Sequence, residues 1–143
     1  MELNWVLLLL SKRGVENLRK YLLENLDLIP YPRTTFHSTI AHSRNRSLVV
    51  EGDLIRRIDD GFPIQISPDT YSLHCIKNKL ALRYEDPSIA EIYNQIMSNR
   101  TRQPASSPKF IPHIIISKNF SGNVENLPPF TVPLTFNSCY WDI

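Results

Sequence analysis

Two histidines stand in matching positions of two apolar segments, and they are the residues of this chain best suited to chemistry. His37 is followed two positions later by Thr39 in FHSTIAHS, and His113 is followed by Ile115 and Ser117 in KFIPHIIIS. Both segments are typical of β-strands. Side chains two apart in a strand share a face, so each histidine is predicted to lie beside the residues that follow it at this spacing.

A histidine beside a hydroxyl is suited to binding and activating a phosphate. The imidazole exchanges a proton near neutral pH, and the hydroxyl can donate a hydrogen bond to a non-bridging oxygen. Two such pairs that face each other predict phosphodiester cleavage, with one histidine as base and the other as acid; the assignment of the two roles stays open. No histidine pair has the spacing of zinc ligands, so we expect no metal and no cofactor. His42 is predicted to face away from His37, and His74 to be isolated.

The elements that must position these histidines occur twice in the same order: strand, helix, proline-bearing loop and histidine strand. In the first half these are residues 3–10, 14–28, 29–35 and 36–43, and in the second half residues 78–85, 86–100, 101–108 and 109–117. Leu7 and His37 are 30 residues apart, and Ala81 and His113 are 32 apart. Two halves related by an approximate two-fold axis would bring the histidine strands to a common centre. Further strands are predicted within residues 47–57, 62–75 and 128–143.

Composition and charge bound the function. A length of 143 residues suits one domain, residues 1–143, and a net charge of about +2 is too small for a surface that binds long nucleic acids. No stretch approaches the ~20 apolar residues of a membrane helix, and the N-terminal segment lacks the features of a signal peptide. The two cysteines, Cys75 and Cys139, have no metal-ligand spacing and are expected to be reduced core thiols. We therefore expect a cytoplasmic protein that does not bind membranes.

The motifs resemble those of the two-histidine (2H) phosphoesterases, whose pattern is His-x-Thr/Ser followed by an apolar residue, once in each lobe. HSTI at 37–40 matches in full and HIII at 113–116 in part, and the order of elements agrees over nearly the whole chain. The resemblance implies an α+β, bilobal 2H-phosphoesterase-like fold. In that fold two antiparallel sheets are related by a pseudo-two-fold axis around a central cleft, and the helices lie on the outside.

Within that family the chain is most similar to the bacteriophage anti-CBASS phosphodiesterases, which destroy cyclic oligonucleotide signals of bacterial antiviral defence. The similarity lies in IPYPRTTFHSTIAHSR, LALRYEDPSIAEIYNQIM, PKFIPHIIIS and NLPPFTVPLTFNSCYWDI. It implies that His37, Thr39 and His113 are catalytic. Ile115 stands where the family has a second hydroxyl in the substrate site, and Ser117 is expected to compensate for the missing donor.

The same resemblance implies that Tyr71, Trp5 and Asp142 contact the substrate, with the two aromatic rings stacking on bases. The expected function is metal-independent cleavage of cyclic di- or trinucleotides with 3′–5′ linkages, by a monomer or weak oligomer in the cytoplasm, the host cytoplasm if the protein is viral. One alternative is a relative that cleaves 2′–5′ oligoadenylate, another short oligonucleotide or a 2′,3′-cyclic phosphate. Another is a nucleotide sponge without chemistry, an alternative that Ile115 keeps open.

Overall fold

The computed structural model describes residues 2–26, 36–42, 48–98 and 110–142. The strands are β1 (Glu2–Leu3), β2 (Trp5–Leu10), β3 (His37–His42), β4 (Leu48–Val49), β5 (Ile64–Ile66), β6 (Ser72–Ile76), β7 (Lys79–Arg83), β8 (His113–Ser117) and β9 (Leu134–Asp142). The helices are α1 (Lys12–Leu26), α2 (Gly52–Asp60) and α3 (Pro87–Ser98). The predicted proline-bearing loops, residues 29–35 and 101–108, lie outside the described residues, as do the predicted ends of both helices.

The strands form a seven-stranded antiparallel sheet and a two-stranded one, which confirms the predicted α+β class. The order in the large sheet is β5-β9-β2-β3-β8-β7-β6, and β1 pairs with β4 in the small sheet. Three neighbouring pairs in this sheet are also consecutive along the chain: β2 with β3, β6 with β7 and β7 with β8. Strand β9 instead lies between β5 and β2, and β3 pairs with β8 at the centre. There β3 and β8, the two histidine strands, lie side by side in one continuous sheet.

The helices contribute their apolar stripes to one core on one face of the large sheet. In α1 the buried side chains include Leu18 and Leu22, and in α3 they are Ile89, Ile92 and Ile96. This spacing places them on one side of each helix, where they pack with the buried residues of the strands in a single apolar cluster. None of the helices in the described part of the chain is long and apolar enough to span a membrane.

Helix α2 corrects the prediction of a strand over residues 47–57. Only Leu48–Val49 is extended, and the helix begins at Gly52. Leu54 and Ile58 are buried four residues apart while the charged residues between them stay exposed, which is helical periodicity. The β-branched run before the helix resembles a longer strand, but the spacing of the apolar residues follows a helix from Leu54 onward.

The two strand pairs that carry the histidines have the same register. The pairs are Leu7 with Thr39 and Leu9 with His37 in β2 and β3, and Ala81 with Ile115 and Arg83 with His113 in β7 and β8. Each pair also contains one irregularity, between Val6 and Leu7 and between Leu80 and Ala81. The repeat read from the sequence therefore has a counterpart, residue by residue, in the hydrogen-bonded ladders.

Candidate functional site

The face of the large sheet opposite the helices carries the candidate site. In β2 the side chains of Val6, Leu8 and Leu10 are buried in the core, whereas Trp5, Leu7 and Leu9 alternate with them and point the other way. We call this second side of the sheet the open face. Because paired residues of neighbouring strands share a face, every residue paired with one of these three also lies on it.

His37 and Thr39 lie on the open face, as predicted, and His42 joins them against prediction. His37 pairs with Leu9, Thr39 with Leu7 and His42 with Trp5. Strict alternation along β3 would turn His42 away, but the register shift between Val6 and Leu7 inserts an extra residue and reverses the alternation. The imidazole of His42 lies on the indole of Trp5, with 4.0 Å between the ring centroids.

His37 and His113 lie on the same face of adjacent strands. The pairing of β3 with β8 runs through Ser38 and Ile114, which are both fully buried on the core side. Their chain neighbours therefore project onto the open face, where antiparallel geometry makes the two histidines diagonal neighbours. Residues in such diagonal positions are about 7–8 Å apart, with their Cβ atoms somewhat closer. That spacing leaves room for a phosphate between two imidazoles.

The ring of His113 is oriented by the backbone that precedes it. Its Nδ1–H donates a hydrogen bond to the carbonyl oxygen of Ile111, with 2.8 Å between nitrogen and oxygen. A neutral imidazole whose Nδ1 carries the proton has an unprotonated Nε2. His113 thus presents a proton acceptor on the side of the ring that points away from the backbone.

The hydroxyl groups are distributed unequally between the two histidines. The pairing of Ser38 with Ile114 places Thr39 across from His113, and Ile115 across from His37. Ser117 does not restore the missing hydroxyl, contrary to expectation. The register shift in β7 and β8 pairs Ser117 with Leu80, a core residue, so its side chain leaves the face that carries Ile115.

Tyr84 connects the two histidine strands from beneath. Its hydroxyl and the Ser38 hydroxyl form a buried hydrogen bond of 2.6 Å, and its amide donates to the Pro112 carbonyl at 3.2 Å. Burial raises the pKa of the Tyr84 phenol, and the hydrogen bond to Ser38 opposes that rise. Tyr84 therefore bonds to the side chain of the residue after His37 and to the backbone of the residue before His113.

Three further polar residues on the open face were missed at the sequence level. Arg83 pairs with His113 and Ser72 pairs with Arg83, while His74 pairs with Ala81 in the adjacent position. Arg83 forms no ion pair with any residue in the described ranges. The alternation in LALRYE carried the signal, because Arg83 alternates with the buried Leu82 and Tyr84.

His74 is therefore not isolated. Its Nε2 lies 2.9 Å from the Ser72 hydroxyl, and the pKa of the imidazole is lowered, first by burial and then by the positive charge of Arg83. In the ladder of β6 and β7, His74 is the diagonal neighbour of Arg83 on the same face, and Arg83 is also the register partner of His113. Arg83 thus brings a positive charge to the half of the sheet formed by β6, β7 and β8.

The expected substrate residues divide into two groups. Trp5 and Asp142 pair with each other on the open face, and Trp5 is 40% exposed. Tyr71 lies on the opposite side of the sheet, which corrects the expectation that its ring is free to stack on a base. Its ring stacks on Phe130, which also contacts Tyr21 of α1.

The Tyr71 hydroxyl has a structural role. It donates to the Val132 carbonyl at 3.0 Å and accepts from the Leu134 amide at 2.9 Å, so it fastens the chain that enters β9. Burial raises the pKa of Tyr71 to about 12, and the hydrogen bond from Leu134 opposes that rise. The donor of this hydroxyl and one of its acceptor positions are therefore used within the fold.

Within the described ranges, no group of three or more His, Cys, Asp or Glu residues is arranged to hold a metal ion. Neither a scan against protein-family models nor a search of the curated proteins finds a match for the chain.

Proposed function

We propose that the protein is a metal-independent phosphodiesterase that cleaves cyclic di- or trinucleotides with 3′–5′ linkages. The observation that carries the proposal is the pairing of Ser38 with Ile114, because it makes His37 and His113 diagonal neighbours on the open face. Thr39 across from His113 and Arg83 beside it supply a hydroxyl donor and a positive charge for the phosphate oxygens. No other described surface combines two histidines in this way.

In the proposed mechanism the substrate provides its own nucleophile. Nε2 of neutral His113 takes the proton of the 2′-hydroxyl, whose oxygen attacks the adjacent phosphorus. The bond from phosphorus to the 5′-oxygen breaks, and protonated His37 gives its proton to that oxygen. The product is a linear nucleotide with a 2′,3′-cyclic phosphate, and Arg83 and Thr39 stabilise the charge that builds up on the non-bridging oxygens.

We infer the bilobal 2H fold from the ladders that hold the two histidine strands. In the inferred fold, the half containing β2, α1 and β3 and the half containing β7, α3 and β8 are related by a pseudo-two-fold axis. The matching registers and matching register shifts support this relation. Such an axis would pass between β3 and β8, where the proposed phosphate site lies.

The biological role follows from the resemblance noted above. Cleavage of cyclic oligonucleotides would remove the second messengers of an antiviral defence, and it would take place in the cytoplasm of the host cell. The protein would act on a small diffusible substrate as a monomer or weak oligomer, without a cofactor.

A substrate panel read by mass spectrometry tests the proposal. The panel contains 3′–5′ cyclic dinucleotides, cyclic trinucleotides, 2′–5′ oligoadenylate and 2′,3′-cyclic mononucleotides, each with and without a chelator. We expect linear products of the cyclic 3′–5′ substrates, undiminished by chelator, and a bell-shaped dependence of kcat/KM on pH, because one group must act as base and another as acid. Cleavage restricted to 2′–5′ or 2′,3′-cyclic substrates would assign the related activity instead, and loss of activity with chelator would contradict the mechanism.

One observation favours a second candidate, a nucleotide sponge. Ile115 places an apolar side chain across from His37, where a hydroxyl would otherwise contact the phosphate. A sponge would retain its ligand unchanged, so denaturing the complex and weighing the released nucleotide separates the two functions. Intact ligand after prolonged incubation identifies the sponge, and a cleaved one identifies the enzyme.

A further inference from the structure

A cavity of about 600 Å³ opens beside His113, at the edge of the open face. Its volume lies within the range of about 300–1,000 Å³ that is typical of small-molecule sites. Ile111 and Pro112, the two residues before His113, form part of its wall, and Arg83 and Ser72 extend from the open face into its lining. Arg83 therefore belongs both to the open face, where it pairs with His113, and to the lining of this cavity.

The rest of the lining combines an aromatic ring with carboxylates. Phe110 lies flat against Tyr93, with 4.3 Å between the ring centroids and 5° between the planes, so its orientation is held by packing. Glu85 and Asp86 lie on the same lining. Asp86 uses one oxygen to accept hydrogen bonds from the amides of Ser88 and Ile89 at the start of α3, whereas Glu85 has no partner among the described residues.

We propose that this cavity is a nucleobase subsite, in which Phe110 stacks on the base and Glu85 selects bases that carry an amino group. The inference rests on the proposed function for the placement of the scissile phosphate between His37 and His113. It adds the position of the adjoining nucleoside and the edge by which its base is recognised.

The chemistry of the lining matches a nucleotide at three points. Arg83 is the register partner of His113, beside the proposed phosphate site, and the ring of Phe110 belongs to the same lining. A carboxylate accepts hydrogen bonds and has none to give, so it pairs with the amino group of adenine, cytosine or guanine. The same position in uracil or hypoxanthine is a carbonyl, which a carboxylate repels. A phosphate-only ligand would make no use of Phe110 or Glu85.

The first test fills the cavity with a large side chain, introduced by substitution of an exposed residue on its wall. Ala90 is on α3, so Ala90→Trp places an indole in the space without removing core contacts. Binding of AMP and CMP is measured by calorimetry, with inorganic phosphate as the ligand that lacks a base. We expect Ala90→Trp to weaken mononucleotide binding about 5- to 100-fold, the range for loss of one stacked base, and to leave phosphate binding unchanged.

Asn94→Trp is the matched control, because Asn94 is an exposed residue of the same helix and does not line the cavity. It should bind mononucleotides as the wild type does. Equal affinity of wild type and Ala90→Trp for AMP, with both variants folded by circular dichroism, would overturn the assignment of the cavity.

The second test concerns base selection. AMP and IMP differ at one ring position, amino against carbonyl, and CMP and UMP differ in the same way. The wild type should prefer AMP and CMP, and Glu85→Gln should reduce that preference to within about twofold, because an amide can both donate and accept. Glu91→Gln, on an exposed part of α3, is the matched control. An unchanged preference in Glu85→Gln would refute the role of Glu85.

These measurements are independent of turnover. If mononucleotides bind in the cavity but no cyclic substrate is cleaved, the subsite stands and the proposed enzymatic function fails. If cyclic substrates are cleaved and Ala90→Trp changes neither KM nor mononucleotide affinity, the enzymatic function stands and the subsite is wrong.

Discussion

At the scale of single residues, the two histidines have different surroundings. His113 has Thr39 across from it, Arg83 beside it and a backbone carbonyl that orients its ring. His37 is exposed and faces Ile115. The donors therefore collect on the side of His113, which is the side we propose for the base and for the attacking oxygen.

Removal of either imidazole should abolish most turnover. We expect His37→Ala and His113→Ala each to lower kcat about 100- to 10,000-fold, the usual contribution of one acid or base, with little effect on folding because both rings lie on the open face. Steady-state kinetics on a cyclic dinucleotide measures the change, and thermal unfolding checks the fold. Ser117→Ala is the control: its register partner is Leu80, so activity should remain within about twofold.

Ile115→Thr should raise kcat or leave it unchanged. A hydroxyl donor in such a site contributes about 1–3 kcal/mol, equivalent to about 5- to 150-fold in rate, and Thr39 already supplies one such donor across from the other histidine. The same cyclic dinucleotide assay measures it. A sharp fall in activity together with a lower melting temperature would mean that Ile115 is needed for packing and that its side of the site needs no donor.

At the scale of elements, irregularities in the strands decide which side chains meet. The shift between Val6 and Leu7 turns His42 onto the open face beside Trp5, and the shift between Leu80 and Ala81 turns Ser117 away from it. One extra residue in a strand reverses the alternation beyond it, because side chains have a period of two. The first three residues of each histidine strand, which precede the irregularity, keep the regular alternation. His37 and Thr39 therefore lie where alternation predicts.

The contribution of the hydrogen bond between Ser38 and Tyr84 to holding the two histidine strands together can be measured by substitution. Tyr84→Phe should destabilise the fold by about 1–3 kcal/mol, because it leaves the buried Ser38 hydroxyl without its partner. Ser38→Ala should cost a similar amount, and the double variant should cost less than the sum of the two single ones. Urea unfolding measures all three. Additive losses would mean that the two hydroxyls do not depend on each other.

Steady-state kinetics of Tyr84→Phe separates a role of Tyr84 in positioning the histidine strands from a role in stability alone. If Tyr84 positions the strands, Tyr84→Phe lowers kcat under conditions in which it is fully folded, and KM changes little. An unchanged kcat in the folded variant would restrict Tyr84 to stability.

At the scale of the whole molecule, the large sheet divides two environments. One face packs against the helices in a single core, and the other carries the polar and aromatic residues of the candidate site. Tyr71 belongs to the first environment. It joins the segment before β6 to the chain entering β9, and its ring adjoins Phe130 and thereby α1.

Alkaline pH should therefore destabilise the protein. The pKa of Tyr71 is about 12 in the folded protein, whereas that of an unfolded tyrosine is about 10, so folding favours the neutral phenol. Its contribution is complete below pH 10 and declines as the pH rises from 10 towards 12. Burial raises the pKa values of Tyr21 and Tyr84 as well, which adds to the loss.

Tyr71→Phe should lower stability by about 1–2 kcal/mol at neutral pH, because the Leu134 amide loses its acceptor. It should also lose less additional stability between pH 9 and 11 than the wild type does, and retain substrate affinity. Urea titrations at several pH values and a KM measurement check these outcomes. A strong rise in KM in the folded variant would return Tyr71 to the substrate site.

Several features were readable from the sequence because they depend on local spacing. The apolar stripe of Ile89, Ile92 and Ile96 and the acidic cap before it predict α3, and the repeated order of elements predicts that two histidine strands exist. His37 and Thr39 share a face because side chains two positions apart in a regular strand point to the same side of the sheet. The spacing that predicts α2 is equally local. The apolar run before this helix nevertheless resembles a longer strand than the two extended residues, Leu48–Val49.

What the sequence determined by itself is the inventory: two histidines on two strands, each preceded by an amphipathic helix. Tertiary structure alone decided that β3 and β8 pair with each other, that Arg83 adjoins His113, and that Tyr71 faces the core while His42 does not. The reason is that strand pairing joins residues far apart along the chain, and a single inserted residue in a ladder reverses which face the following side chains occupy.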